Sequence, residues 1–161
     1  MTRHPTLRDA PLTLRARTAA DLMIPNQISL RANASVTEAM MLFTEKRIAA
    51  APVIDDAGQP IGVISRSDLL VHQCEHEKHR GGSYFAAPSF ESNAAAKPAA
   101  STVIDLMTPA IFAVSPDTPV ESVVKDMIGL HVHRLFVVDD EGILVGVITT
   151  MDVLKHLKAE G

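Results

Sequence analysis

The apolar positions change period along the chain, and they do so twice in the same order. Val36, Ala39, Met40 and Phe43 recur at i, i+3, i+4, i+7 and predict a helix with one buried stripe. Val120, Val123, Val124 and Met127 predict a second such helix. A brief apolar strand is predicted before each, near Ile28–Leu30 and Ile111–Val114. Two further β-rich runs follow each helix: Ala51–Ile54 and Ile61–Ser65, then Leu135–Val138 and Val145–Thr149. Their connectors, DDAGQP at 55–60 and DDEGIL at 139–144, have hairpin length and a Gly after two acids, which predicts solvated turns rather than metal sites. A further helix opens at Ser65–Asp68 and at Thr149–Asp152. Thr118, Pro119 and Glu121 read as an N-cap, a first-turn proline and a capping-box acid; Ser35 and Glu38 read as the same device one position out of register.

The recurrence is an internal duplication. Residues 21–70 align with 105–154 at a constant offset of 84 without gaps, and 14 of the 50 positions are identical, where average composition gives roughly three. Asp21, Leu22, Met23 and Pro25 match Asp105, Leu106, Met107 and Pro109, so a short helical turn heads each copy. The copies end on GVISRSD (62–68) and GVITTMD (146–152). Each copy reads β-α-β-β-α, and a unit of this size buries little core alone, so the two are expected to pack together. Between them, VHQCEHEKHR continues a helix, and GGSYFAAPSFESNAAAKPAAST reads as a long mobile loop.

Composition narrows the functions available. A 161-residue chain with 47% apolar and 21% charged residues is ordinary for a globular protein. A net charge of −4 argues against nucleic acid as a partner. The basic N-terminal arm, with Arg3, His4, Arg8, Arg15 and Arg17 against Asp9, is expected to be solvated and partly ordered. The single Cys74 fits a reducing compartment, no run is long enough to span a membrane, and the first residues lack a secretory signal's apolar centre, so a cytoplasmic location is expected. His72, Cys74, His76 and His79 raise a metal hypothesis, since His72 and His76 share a helix face, but without strict spacing no metal site is assigned. No nucleophile–base pair or glycine-rich phosphate loop is present, so an enzyme is not expected.

Ser65-x-x-Asp68 and Thr149-x-x-Asp152 admit two readings. One is a capping box, in which hydroxyl and acid satisfy free N–H groups at a helix start. The other is a nucleotide contact: the hydroxyl and helix N-terminus take a phosphate, and the acceptor-only Asp takes a ribose diol.

The pattern of Asp-Leu-Met-x-Pro, a helix, Pro-Val-Ile-Asp-Asp (52–56) or Phe-Val-Val-Asp-Asp (136–140), and Gly-Val-Ile-[Ser/Thr]-x-x-Asp resembles the tandem cystathionine-beta-synthase (CBS) domain pair, or Bateman module. The resemblance implies an α+β fold of two β-α-β-β-α CBS repeats packed as a pseudo-twofold pair. It divides the chain into an arm (1–19), a first repeat (20–72), a partly disordered linker (73–102) and a second repeat (103–159). It also implies a non-catalytic sensor that binds AMP, ADP, ATP, S-adenosylmethionine or NAD in clefts between the repeats and forms a homodimer through its helices. The regulated protein is then expected on another chain; the alternative is a scaffolding dimer with vestigial clefts. Carried over by position, the ribose contacts are Asp68 and Asp152 and the phosphate-side hydroxyls Ser65 and Thr149. The base pocket draws on Ile24, Pro25 and Ile28, and on Ile111 and Phe112, with Ala51, Pro52, Leu135 and Phe136 as the other wall. Family members often carry Pro where Phe136 stands. The copies differ around the sites. Arg66 is a candidate phosphate contact in the first, where the second has Thr150. Arg134 is either a phosphate contact or a solvent-exposed strand charge, and His133 is a candidate although the surface reading is favoured for it and for His131. Two unequal sites are expected.

Overall fold

The computed structural model describes residues 11–25, 28–79 and 101–159, the side chains of 77–79 excepted. In chain order the elements are β1 (Leu12–Leu14), α1 (Ala19–Leu22), β2 (Ile24–Pro25), β3 (Leu30–Arg31), α2 (Val36–Glu45), β4 (Ala50–Ile54), β5 (Pro60–Ser65), α3 (Arg66–His79), α4 (Val103–Leu106), β6 (Ala113–Val114), α5 (Val120–Gly129), β7 (Arg134–Val138), β8 (Leu144–Thr149), α6 (Thr150–Lys155) and β9 (Leu157–Ala159). The predicted hairpins, β4–β5 and β7–β8, fall within one residue of their expected limits. Their turns are built alike: Asp55 Oδ1 accepts from the N–H groups of Ala57 and Gln59, Asp139 Oδ1 from those of Glu141 and Ile143. Gly58 and Gly142 take φ of 83° and 80°, which a side chain would disfavour. The acids are turn formers, as read.

The described residues form two units. One comprises 28–79 and 101–111, the other 11–25 and 112–159. In the first, β3 pairs parallel with β4 and β4 antiparallel with β5, and a bridge between Val63 and Thr108 adds a short fourth position beside β5. In the second, the sheet order is β2-β8-β7-β6, with the same senses. Thus the Asp-Leu-Met-x-Pro leader at the head of each repeat packs on the other repeat's sheet. Leu22 enters the core of Val120, Val123, Leu135, Val137 and Ile148, while Val103 enters that of Ala39, Phe43, Val53 and Ile64. The glycine opening each GVI motif permits this. A Cβ on Gly62 would lie 2.7 Å from both Met107 Sδ and the Thr108 carbonyl oxygen, and one on Gly146 would lie 2.5 Å from Met23 Sδ.

Two expectations are corrected, and the arm gains a strand. Pro119, aligned with Ser35, occupies the N-cap position of α5 with no side-chain cap. The Thr118 hydroxyl instead accepts from the Ser115 N–H at 3.1 Å, and Ser35–Glu38 is the genuine capping box. Met40 is 44% exposed, because the buried stripe of α2 narrows to Ala39 and Phe43. Residues 12–14 of the arm are a strand, paired antiparallel with β9, and Leu14 and Ala16 pack against the adjacent core. Residues 1–10 of the arm and 80–100 of the linker lie outside the described residues.

Candidate functional site

The hydroxyl-x-x-acid element recurs more widely than the two predicted sites. Thr18–Asp21, Ser35–Glu38 and Thr102–Asp105 are capping boxes too. Backbone N–H donors at these helix starts hold the Asp21, Glu38 and Asp105 carboxyls below the usual carboxylate range. Capping alone therefore accounts for the motif as a local device, and position must distinguish the two predicted sites.

Both lie where the last strand of a hairpin runs straight into a helix. At the start of α3, Asp68 Oδ2 accepts from the Ser65 N–H and from Ser65 Oγ, each at 2.7 Å. At the start of α6, Asp152 Oδ2 accepts from the Thr149 N–H at 2.8 Å and from Thr149 Oγ1 at 2.6 Å. Asp152 is the buried charged residue of the described set, 4% exposed, and Asp68 is half-buried; the other three boxes have exposed acids. In both, the box uses one carboxylate oxygen. Asp152 Oδ1 faces Lys155 Nζ at 3.7 Å; in the first repeat Val71 holds the aligned place. An ionised carboxylate with one oxygen engaged in a cap retains acceptor capacity on the other.

The strand register sorts the remaining candidates. Arg134 stands directly opposite Thr149, as Ala50 stands opposite Ser65, so Arg134 shares a sheet face with the Thr149 hydroxyl. Ile24 and Pro25 pair with Val147 and Gly146 along β8. The Phe136 N–H donates to the Phe112 carbonyl at 2.9 Å, bringing those two together. Strand alternation turns Ala51 and Leu135 into the helix-packed cores. Pro52 and Phe136 point to the other face and are also buried. Ile28 and Ile111 are half-exposed in the first-repeat unit.

Arg66, Thr150 and His133 also line the helical side of each unit. Arg66 Nη2 donates to the Phe43 carbonyl at 3.0 Å and lines a cavity of about 400 Å³ with Met40, Leu69 and Leu70. The aligned cavity of about 460 Å³ in the other unit is lined by Thr150, His133, His131 and Ile128. The Thr150 N–H and hydroxyl both bond the His133 carbonyl, at 3.1 and 3.4 Å. Residues adjacent in sequence to the capping boxes thus face the helical grooves, because a one-residue step at a helix start turns the side chain through about 100°. The His72 and His76 rings meet edge-on at 4.2 Å, Cys74 is exposed, and the His79 side chain is outside the described residues. No cluster of three metal-ligating side chains occurs among the described residues. The sequence marks the capping acids Asp21 and Asp105 by a Thr-x-x-Asp pattern before an apolar turn.

Comparison with known proteins places these observations in a family. The CBS domain profile matches residues 19–74 and 103–159. The CBS domain-containing protein CBSX1 of Arabidopsis thaliana is 36% identical over 131 residues, covering 75% of this chain and 55% of that protein. The crystal structure of CBSX2 in complex with AMP aligns with a TM-score of 0.65 at 29% identity, covering 87% of this chain and 95% of that one. The cytosolic domain of the Mg2+ channel MgtE in complex with ATP aligns with a TM-score of 0.64 at 28% identity, covering 88% of this chain and 49% of that one. The chain spans between about half and two thirds of the length of CBSX1 and CBSX2. Two profile matches, two units of one α+β topology and an ungapped repeat agree that this chain belongs to the CBS domain family, as a tandem pair of CBS domains.

Proposed function

We propose that this chain is a non-catalytic regulatory module that binds adenosine-containing ligands. Asp68 and Asp152 accept from the ribose diol, the helix starts at Ser65 and Thr149 receive the phosphate side, and Arg134 adds a fixed charge in the second repeat. The observation that carries the reading is that both carboxylates sit at strand-to-helix junctions with only one oxygen committed to the cap. The AMP and ATP complexes of CBSX2 and MgtE support it. The ligand is AMP, ADP, ATP, S-adenosylmethionine or NAD.

Signalling passes through a homodimer or a separate regulated protein. Exposed Met40, Met41, Leu70 and Val71 on α2 and α3, and Ile128, Met151 and Leu154 on α5 and α6, offer apolar helix faces for self-association. No helix among the described residues is long and apolar enough to cross a membrane, and the reading sets the module in the cytoplasm.

Thermal shift and calorimetry with AMP, ATP, S-adenosylmethionine and NAD test this, with light scattering to follow the dimer. A ligand at 100 times its dissociation constant is expected to stabilise by about 2.7 kcal/mol. Asp68→Asn and Asp152→Asn each remove one site; asparagine still accepts from the cap N–H groups but presents an amide where the diol needs an acceptor. Unchanged binding in both variants defeats the reading, and no binding of any ligand at millimolar concentration favours a scaffolding dimer.

A further inference from the structure

The capping boxes at Ser65–Asp68 and Thr149–Asp152 are alike in the cap and unlike one helical turn beyond it. In both, the Oδ2 atom of the acid is taken by the cap. Yet Asp152 is buried, whereas Asp68 at the aligned position is half-buried. The charge around the second oxygen also differs. Lys155, three residues on and so on the same face of α6, brings Nζ to 3.7 Å from Asp152 Oδ1. Val71 at the aligned place carries no charge. The helices themselves diverge here, because α6 stops at Lys155 and α3 runs on to His79. His156, the C-cap of α6, has Nδ1 2.7 Å from the Asp152 carbonyl oxygen, and its own carbonyl accepts from the Arg15 N–H. The turn that carries Lys155 is thereby held against Asp152.

We infer that Lys155 is a latch on the second-repeat site: its ammonium covers the Asp152 oxygen left over by the cap, and a ribose diol must displace it, while the first-repeat site has no such cover. The inference rests on the adenosyl reading above and concerns what regulates that site. A diol hydroxyl donates to a carboxylate oxygen, and Oδ1 is the oxygen that both the diol and the ammonium seek. The Lys155 side chain is 64% exposed, so it can swing into solvent without giving up a buried contact. A pair with one exposed partner is screened by salt, so the latch loosens as ionic strength rises. The unequal sites expected from the sequence thereby acquire a cause, one side chain that competes with the ligand in one repeat and has no counterpart in the other.

Calorimetry with adenosine tests the latch, because a ligand without phosphate keeps the Arg134 charge out of the salt dependence. Asp68→Asn leaves the second-repeat site. In that variant adenosine is expected to bind more tightly as sodium chloride rises from about 0.01 M to about 1 M, over which the Debye length falls about tenfold. Adding Lys155→Met is expected to tighten binding at low salt by about threefold to fivefold and to remove the salt-dependent gain. Lys155→Arg keeps the charge and is expected to keep the gain, which a role in packing alone does not require. In Asp152→Asn, which leaves the first-repeat site, no such gain is expected. Unchanged affinity in a folded Lys155→Met variant overturns the inference, and so does weaker affinity, which would make Lys155 a contact of the ligand. Failure of adenosine to bind Asp68→Asn with or without Lys155→Met, where AMP binds the wild-type chain, overturns it too and leaves nucleotide binding standing. Absence of AMP binding to the wild-type chain removes the adenosyl reading itself.

Discussion

Gly62 and Gly146 are the residues on which each leader segment rests, and their neighbours predict unequal costs of substitution. A methyl group at 62 meets the Thr108 carbonyl oxygen, which is backbone and cannot turn aside. At 146 the nearest atom is Met23 Sδ, the end of a flexible side chain, with the Ile24 carbonyl oxygen farther off at 3.1 Å. Gly62→Ala is expected to destabilise by about 1–3 kcal/mol and Gly146→Ala by less, measured by chemical denaturation. A reversed order shows that the leader yields more readily in the first-repeat unit. At this scale the sequence was legible where chemistry is local. Asp55 and Asp139 are turn formers as read, and the Ser65–Asp68 and Thr149–Asp152 boxes form as the capping reading required. It was illegible where orientation depends on a neighbouring element. No local pattern announces that the Arg66 guanidinium donates to the carbonyl of Phe43 on the neighbouring helix.

Helix starts contribute to the chain's response to acid. Asp21, Glu38 and Asp105 accept N–H donors only in the folded state, so their folded pKa values lie below the unfolded ones. Their stabilisation is therefore complete above the unfolded values, near about pH 4, and is lost as pH falls through the lowered folded values. Glu38→Gln is expected to lower the melting temperature at pH 7, with the difference from wild type narrowing below about pH 4. A difference independent of pH attributes the effect to packing instead of ionisation. The elements themselves were largely visible in the hydrophobic period: β4, β5, β7 and β8 fall within one residue of expectation. Two were not. β1 and β9 are three residues each, stabilised by each other across 145 positions, and no local pattern marks such a pair. At α5, Thr-Pro mimics a capping sequence, whereas the Thr118 hydroxyl is spent on the turn at Ser115.

At the scale of the molecule, the duplication made the family legible, since two ungapped copies carry more information than one motif. It could not reveal which sheet each leader joins, because a repeat alignment records order along the chain and not contact. The traded leaders bear on how the chain survives cleavage. Ile24 and Pro25 belong to the N-terminal half of the polypeptide but complete β8, while Thr108 belongs to the C-terminal half but bridges to Val63. A single cut engineered near residue 90 thus yields two fragments, each holding a strand position that the other lacks. The nicked protein is expected to elute as one species in native buffer and to separate only under denaturant. Two species in native buffer would show that the leaders do not hold the halves. Covalent continuity between the halves then serves as a tether that raises local concentration, and the chain behaves as two mutually dependent fragments that synthesis happens to deliver joined.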